Sequence, residues 1–343
     1  MYVRGKGITV SEPSVVAQHT GSGRVLAVGD EAKRMIGRTP ATITASRPLR
    51  HGVIADLDVT EAMLRQFIGR VHRGRFTHPR VVMCVPSGLT GVELSAVEEA
   101  CLSAGALEVH LIDEPIAAAV GAGLDISQPT GHMVVDVGGG TSEVAIISMG
   151  AMVVQRSLRT AGYDFDDALI GWLRREHGLI VGQPTAEALK VEIGSADAVR
   201  PAQQGEVRGR DAASGLPRAL SIGGDEVRAA LSDAVQAIVD AVRGALERTP
   251  PELAGDIAET GILMAGGSSL LPGFPELLGR QTGMPARLAD SPLTCVAEGA
   301  GRSLEGLRGL TRKARLSRRY ATTSPYRRPV TPAERAARAL QRD

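Results

Sequence analysis

The chain has 343 residues, of which 43% are hydrophobic, 22% charged and only 3% aromatic, with a net charge of +1. That length favours two domains, and that composition a soluble globular protein whose core is built from Val, Ile, Leu, Ala and Met. No stretch approaches the roughly 18 apolar residues of a spanning helix, no apolar segment of signal-peptide type follows the first charges, and Cys84, Cys101 and Cys295 share no metal-ligand spacing, so reduced, buried thiols in a cytosolic protein are expected.

In chain order, "MYVRGKGITVSEPSVVA" reads as the remnant of one strand and then a second strand. "RVVMCVP" (80–86) is a buried strand, "TGVELSAVEEACLSAG" a helix, "EVHLI" a strand, and "EPIAAAVGAG" a helix with proline in its first turn. Three β-type runs joined by glycine turns follow, "MVVDV", "EVAIIS" and "AMVVQRSL". "DFDDALIGWLRREHG" has Phe165, Leu169, Trp172 and Leu173 at helical spacing and stops at Gly178. "TAEALKVEIGSA" and "EVRAALSDAVQAIVDAVRGALER" are helices, and "GILMAGG" is a buried strand. Strands alternating with helices imply parallel pairing with right-handed crossovers.

The chain repeats itself. "LIDEPIAAAVGAG" (111–123) and "LADSPLTCVAEGAG" (288–301) both read Leu-x-Asp-x-Pro, then small residues, then Gly-Ala-Gly. Each follows a strand–helix–strand unit, so two related α/β halves are expected. The second half opens with a strand–turn–strand at Asp136–Thr141, whereas no such hairpin opens the first.

Gly138, Gly139 and Gly140 let backbone N–H groups approach a phosphate without a Cβ in the way, and Thr141 adds a hydroxyl. Asp136 at the strand end can hold Mg²⁺, usually through water. No Gly-Lys-Ser/Thr follows, so this is not a Walker loop, and an ordinary glycine hairpin has the same letters. "MAGGSSLLPGF" places Gly266 and Gly267 between strand and helix, where a backbone can lie against a ring or ribose; Ser268 or Ser269 could equally be an N-cap. Glu187 and Lys190 are three apart on one helix face, able to clasp a nucleoside or to pair with each other. Glu114 starts a helix and suits either a cap or a base that orients water. Its counterpart in the second half is Ser291.

Taken together, "KGITVSEPSVVA", "AVGDEAKRMIGRTP", "RPLRHGVIAD", "CVPSGLTGVE", "DEPIAAAVGAGL", "VVDVGGGTSEVAIIS", "TAEALKVEIGSA", "PPELAGDI" and "CVAEGAG" resemble, in order and spacing, the actin-like ATPases and within them the bacterial MreB family, over about residues 1–307. The resemblance implies an α/β, actin-like (ribonuclease H-like) fold with two related lobes around a nucleotide cleft. It also implies ATP and Mg²⁺ as cofactors. Asp136 to Thr141 would form the second phosphate loop, with Asp136 on the metal and Thr141 on the attacking water, which Glu114 polarises. Glu187, Ala188, Leu189 and Lys190 would flank the adenosine, and Gly266, Gly267, Ser268 and Ser269 would form the adenosine loop. The family's first phosphate hairpin, ahead of the "RGKG" segment, is absent from this sequence. The lobes would be 1–123, with a small subdomain near 13–51, and 124–290, with one near 180–230; residues 291–307 return to the first lobe and 308–343 form a basic, disordered tail.

The implied function is an ATP-binding cytoskeletal protein that assembles with itself into filaments at the inner-membrane surface and organises cell-wall synthesis and cell shape. The alternative is a shortened paralogue, a scaffold or filament subunit with weak or no ATPase activity. The location implied is cytoplasmic and membrane-associated. A Hsp70-type chaperone would need a substrate domain after the core, and a sugar kinase a longer chain. In "HRGRFTHPR" (72–80) only Phe76 offers an apolar side chain to lipid. The tail carries twelve basic and three acidic residues from Arg302 onward and leaves an acidic body. No aromatic platform accompanies it, so no nucleic-acid partner is expected.

Overall fold

The computed structural model describes residues 1–72, 74, 77–198 and 203–304. Phe76 and the basic tail fall outside these residues. Residues Met1–Ser303 form one compact unit.

The second half is organised by a five-stranded sheet, in the order Ala151–Leu158, Ser142–Ser148, His132–Val137, Ile262–Ala265 and Ala286–Leu288. The first three strands are the expected antiparallel meander; the last two join it in parallel. Every residue of Ser142–Ser148 is buried, because both faces of the sheet are covered. Met133, Val135, Val137, Val144 and Ile146 face one core, shared with Phe165, Leu169 and the helix Gly224–Leu246. Val134, Ala145 and Ile147 face the other, shared with Ala118, Ala119 and Cys295. This two-sided burial explains why "MVVDV" and "EVAIIS" are unbroken apolar runs rather than alternating ones.

The helix Gly162–His177 ends on left-handed Gly178, as the sequence predicts. The expected nucleoside helix is Gln183–Ile193. A three-stranded antiparallel sheet, Leu179–Ile180, Gln204–Asp211 and Pro217–Gly223, lies within the region assigned to a small subdomain. Sequence reading gave no strands there, since exposed, charged positions such as Glu206, Arg208 and Arg210 mask any apolar alternation.

In the first half the strands Arg80–Val85 and Glu108–Asp113 pair in parallel, joined by the helix Gly91–Ser103 with a capping box between Thr90 and Glu93. No further strand joins this pair among the described residues. Its residues are correspondingly half-buried, apart from Val85 and the exposed Arg80. Cys84 is therefore only half-buried, unlike Cys101 and Cys295; all three are free thiols. A small antiparallel sheet, Val25–Val28, Val16–His19 and Ile43–Ser46, precedes this pair. The helix Leu57–Val71 follows that sheet and is capped by Asp56, whose side chain accepts from Val59 N–H.

The sequence repeat has a physical counterpart. The helix Glu114–Gly121 crosses the helix over residues 295–304 with backbones in contact. A Cβ on Gly121 would lie 1.8 Å from the Cys295 carbonyl oxygen, and a Cβ on Gly299 would lie 1.8 Å from that of Ala117. Each glycine lies four residues after the residue whose carbonyl the other glycine meets, so the contact is reciprocal. The two repeats thus meet about a local two-fold axis, and the Gly-Ala-Gly echo marks their crossing point.

Candidate functional site

The turn between His132–Val137 and Ser142–Ser148 is closed by Gly138 N–H donating to Thr141 C=O at 2.9 Å. Two other segments bond to this turn. Ser268 Oγ donates to Gly138 C=O at 2.7 Å. The start of helix Gly162–His177 bonds to it as well: Gly162 N–H donates to Gly138 C=O at 3.2 Å, and Tyr163 N–H to Gly139 C=O at 2.8 Å. Glycine is required where these pieces meet. A Cβ on Gly162 would lie 2.3 Å from Ser268 Oγ. Gly266 has φ +82°, and its Cβ would lie 2.3 Å from Val137 O and 2.4 Å from Asp136 Oδ1.

The strand Ile262–Ala265 therefore delivers Gly266 directly against Asp136, and the 3₁₀ turn Gly267–Leu270 follows. Neither serine is the N-cap that the letters allow. Ser268 reaches the Gly138–Thr141 turn, while Ser269, fully buried, donates back to Gly266 C=O at 2.6 Å. The helix Phe274–Thr282 begins instead at left-handed Gly273.

The first half comes to the same place. Glu114 is the first residue of its helix and follows Asp113, which occupies the N-cap position without a side-chain cap bond. Burial pushes the Glu114 carboxyl well above the usual range, and the charges of Asp136 and Glu143 push it further. Asp136 is 6% exposed; burial and then Glu143 raise it too. The turn at His51–Gly52 packs on the other side: a Cβ on Gly140 would lie 3.1 Å from His51 N, and one on Gly52 2.7 Å from Thr141 Cγ2.

Sequence reasoning missed Glu143. It is fully buried in the meander and accepts from Ser157 Oγ at 2.5 Å, from Ser87 N–H at 3.1 Å and from Ser87 Oγ. Ser87 follows the strand Arg80–Val85, so this carboxylate joins the two halves. Burial raises it, and the serine bonds offset part of that rise. Its one signal is a single acid inside "SEVAIIS".

Glu187 and Lys190 do not pair with each other. Glu187 Oε1 accepts from Lys33 Nζ of the first half at 2.8 Å. Lys190 Nζ lies 2.6 Å from Asp166 and donates to Gly162 C=O at 2.9 Å, which places it beside the Gly138–Thr141 turn. Burial still pushes Asp166 up to about 6, against the pull of Lys190. The other two residues of this segment lie elsewhere. Leu189 is buried in the core, and Ala188 is exposed in a recess with Arg38, Pro184, Thr185, Glu206 and Arg208. Among the described residues no three His, Cys, Asp or Glu side chains are grouped to hold a metal ion, and no helix is long and apolar enough to cross a membrane.

Comparison with known proteins identifies the family and the fold. The profile of the MreB/Mbl protein family matches residues 1–312. The chain is 50% identical over 311 residues to the cell shape-determining protein MreB of Escherichia coli (strain K12), covering 89% of this chain and 90% of that protein. It is 45% identical over 314 residues to the cell shape-determining protein Mbl of Bacillus subtilis (strain 168), covering 91% and 94%. Its fold superposes on the crystal structure of MreB 5 of Spiroplasma citri bound to AMPPNP with a TM-score of 0.86, at 35% identity and over 90% and 93% of the two chains. The fold is thus actin-like, and the chain belongs to the MreB/Mbl family of bacterial cell shape-determining proteins.

Proposed function

We propose that this chain binds ATP where Asp136, the Gly138–Thr141 turn, the Gly266–Ser269 loop and Glu114 converge. On this reading it hydrolyses ATP slowly and assembles with itself into filaments at the inner-membrane surface, organising cell-wall synthesis. The observation that carries the reading is the convergence itself: Ser268 bonds to Gly138, Gly266 abuts Asp136, and Glu114 shares an electrostatic environment with Asp136. The nucleotide analogue in the Spiroplasma citri relative supports it.

In this reading the amides of Gly138, Gly139 and Gly140 cradle phosphate oxygens. Thr141 Oγ1 and Glu114 hold the attacking water, and Glu114 takes its proton as the γ-phosphate is released. A carboxyl raised by burial is a better proton acceptor near neutral pH than an ordinary one. Mg²⁺ would neutralise charge on the phosphates. Asp136 is the residue suited to hold it, through one carboxylate and water. Glu187 and Lys190 would border the nucleoside.

The test is nucleotide binding by calorimetry together with phosphate release from the purified chain. Saturable Mg²⁺–ATP binding with slow turnover that is lost in Glu114→Ala supports the proposal; no saturable binding refutes it. The second reading is a scaffold or filament subunit with weak or no ATPase activity. Pelleting of filaments together with binding but no turnover would select it.

A further inference from the structure

A first-half cation acts on the phosphate turn through an intermediary. Arg47 follows the strand Ile43–Ser46, and its guanidinium carbon lies 4.3 Å from the centre of the Tyr163 ring. One terminal nitrogen donates to Gln183 Oε1 at 2.5 Å, at the head of the helix Gln183–Ile193. Its Nε is buried without a hydrogen-bond partner among the described residues. So the ring, not a full set of acceptors, determines where this side chain sits. Tyr163 in turn belongs to the phosphate turn: its N–H donates to Gly139 C=O, and a Cβ on Gly139 would lie 3.0 Å from Cζ of its ring. Both partners of Arg47 are in the second half, so its contacts exist only while the halves are closed together.

We propose that Arg47 is a positioning residue that presses the Tyr163 ring against Gly139, so that the halves cannot open without loosening the phosphate turn, and that the pair thereby limits the rate of nucleotide release. The inference rests on the ATP-binding reading above. It differs from a plain inter-half ion pair such as Lys33–Glu187, which touches no residue of the turn. A stacked guanidinium over an aromatic face supplies the directional contact required, and His51 against Gly140 holds the opposite side.

The experiment is release of a fluorescent ADP analogue from the full chain, chased with excess ATP. Wild type is compared with Arg47→Ala, Arg47→Met, Tyr163→Ala, Tyr163→Phe and the double alanine variant. Loss of one coupled contact of this kind should speed release by about tenfold. Arg47→Ala, Arg47→Met and Tyr163→Ala should each do so, Tyr163→Phe should behave as wild type, and the double variant should release no faster than either single one. Adenosine carries no phosphate, so its affinity should change by much less than the roughly tenfold seen in ADP release. Unchanged release in Arg47→Met, additive effects in the double variant, or an equal loss of adenosine affinity would overturn the inference. A wild-type chain with no saturable ADP binding would instead refute the nucleotide reading on which it stands. Arg47→Met keeps the reach of the side chain, so it decides the matter should either alanine variant fail to fold.

Discussion

Asp136→Asn should stabilise the ligand-free protein at alkaline pH and have little effect at acid pH. Asp136 is buried, and burial and the neighbouring Glu143 charge hold its folded-state pKa above the unfolded value. The unfolded chain therefore loses this proton first as pH rises. Between the two values the folded state binds more protons, so stability falls with rising pH. The carboxyl is pushed up to about 7, and at about 1.4 kcal/mol per pH unit this sets an upper limit of about 4 kcal/mol, from which the cost of burying the asparagine amide must be taken. Asparagine has the same outline and no charge to desolvate, so a gain of about 2 kcal/mol is expected at pH 9, shrinking towards zero near pH 4. It also relieves Glu114, whose own rise includes the Asp136 charge. Urea unfolding of the ligand-free chain at pH 5, 7 and 9, followed by circular dichroism, measures this directly. Mg²⁺–ADP should reverse the order, stabilising wild type more than the variant, because the carboxylate then faces a cation. A gain that is independent of pH, or a loss at pH 9, would refute the reasoning.

Three further substitutions test the packing. Gly266→Ala meets both a positive φ and two oxygens closer than 2.5 Å, so a loss of about 3 kcal/mol is expected from strain and overpacking combined, read as a lowered urea midpoint with unchanged slope. Gly121→Ala puts a methyl group 1.8 Å from a backbone oxygen that no rotamer can move; a loss of about 4 kcal/mol or more, or failure to accumulate as folded protein, is expected, and normal expression with wild-type stability would contradict the helix crossing. Ser268→Ala removes the hydroxyl that donates to Gly138 and should cost about 1 kcal/mol of stability, with a larger fractional loss of ADP than of adenosine affinity in calorimetry.

Local chemistry made the second half readable. Apolar β-branched runs give the meander and Gly178 ends a helix, while the repeated Gly-Ala-Gly points to two related halves and only the structure shows the close crossing there. What periodicity could not supply was partnership between residues far apart in the chain. Glu187 and Lys190 sit at ideal spacing for each other, yet Lys33 and Asp166 take them, since folding brings a cation from 154 residues away and a buried acid from the adjoining helix. Ser268 is well placed by its letters to cap a helix, and the turn at Gly138 claims its hydroxyl instead. Glu143 was invisible because a strand that tolerates a buried acid must find donors elsewhere, here Ser87 and Ser157, which no local pattern predicts. The charged hairpin Gln204–Gly223 shows the same limit: only Val207, Leu220 and Ile222 turn to the core, too few apolar letters among the charges to announce a strand.

These contacts leave the centre with an unusual balance. Three carboxyl groups, Glu114, Asp136 and Glu143, are all raised by burial, and each of the first two also feels a charge from the others. The nearby cations are engaged at the rim instead: Lys190 with Asp166, Lys33 with Glu187, and Arg47 on Tyr163. A triphosphate entering alone would add like charge to the acids. On the proposed reading, Mg²⁺ held by Asp136 would supply the compensating charge and the glycine-turn amides the donors. The sheet can hold so unfavourable a group of acids because its strands are buried on both faces, and the stability stored there offsets the desolvation. The same arrangement makes closure conditional. The halves meet at Glu143–Ser87, at Lys33–Glu187 and at Arg47–Tyr163, and the acids between them repel until a cation arrives. On the proposed reading, nucleotide and metal bound together would relieve the repulsion among these acids, and closure of the halves would depend on both.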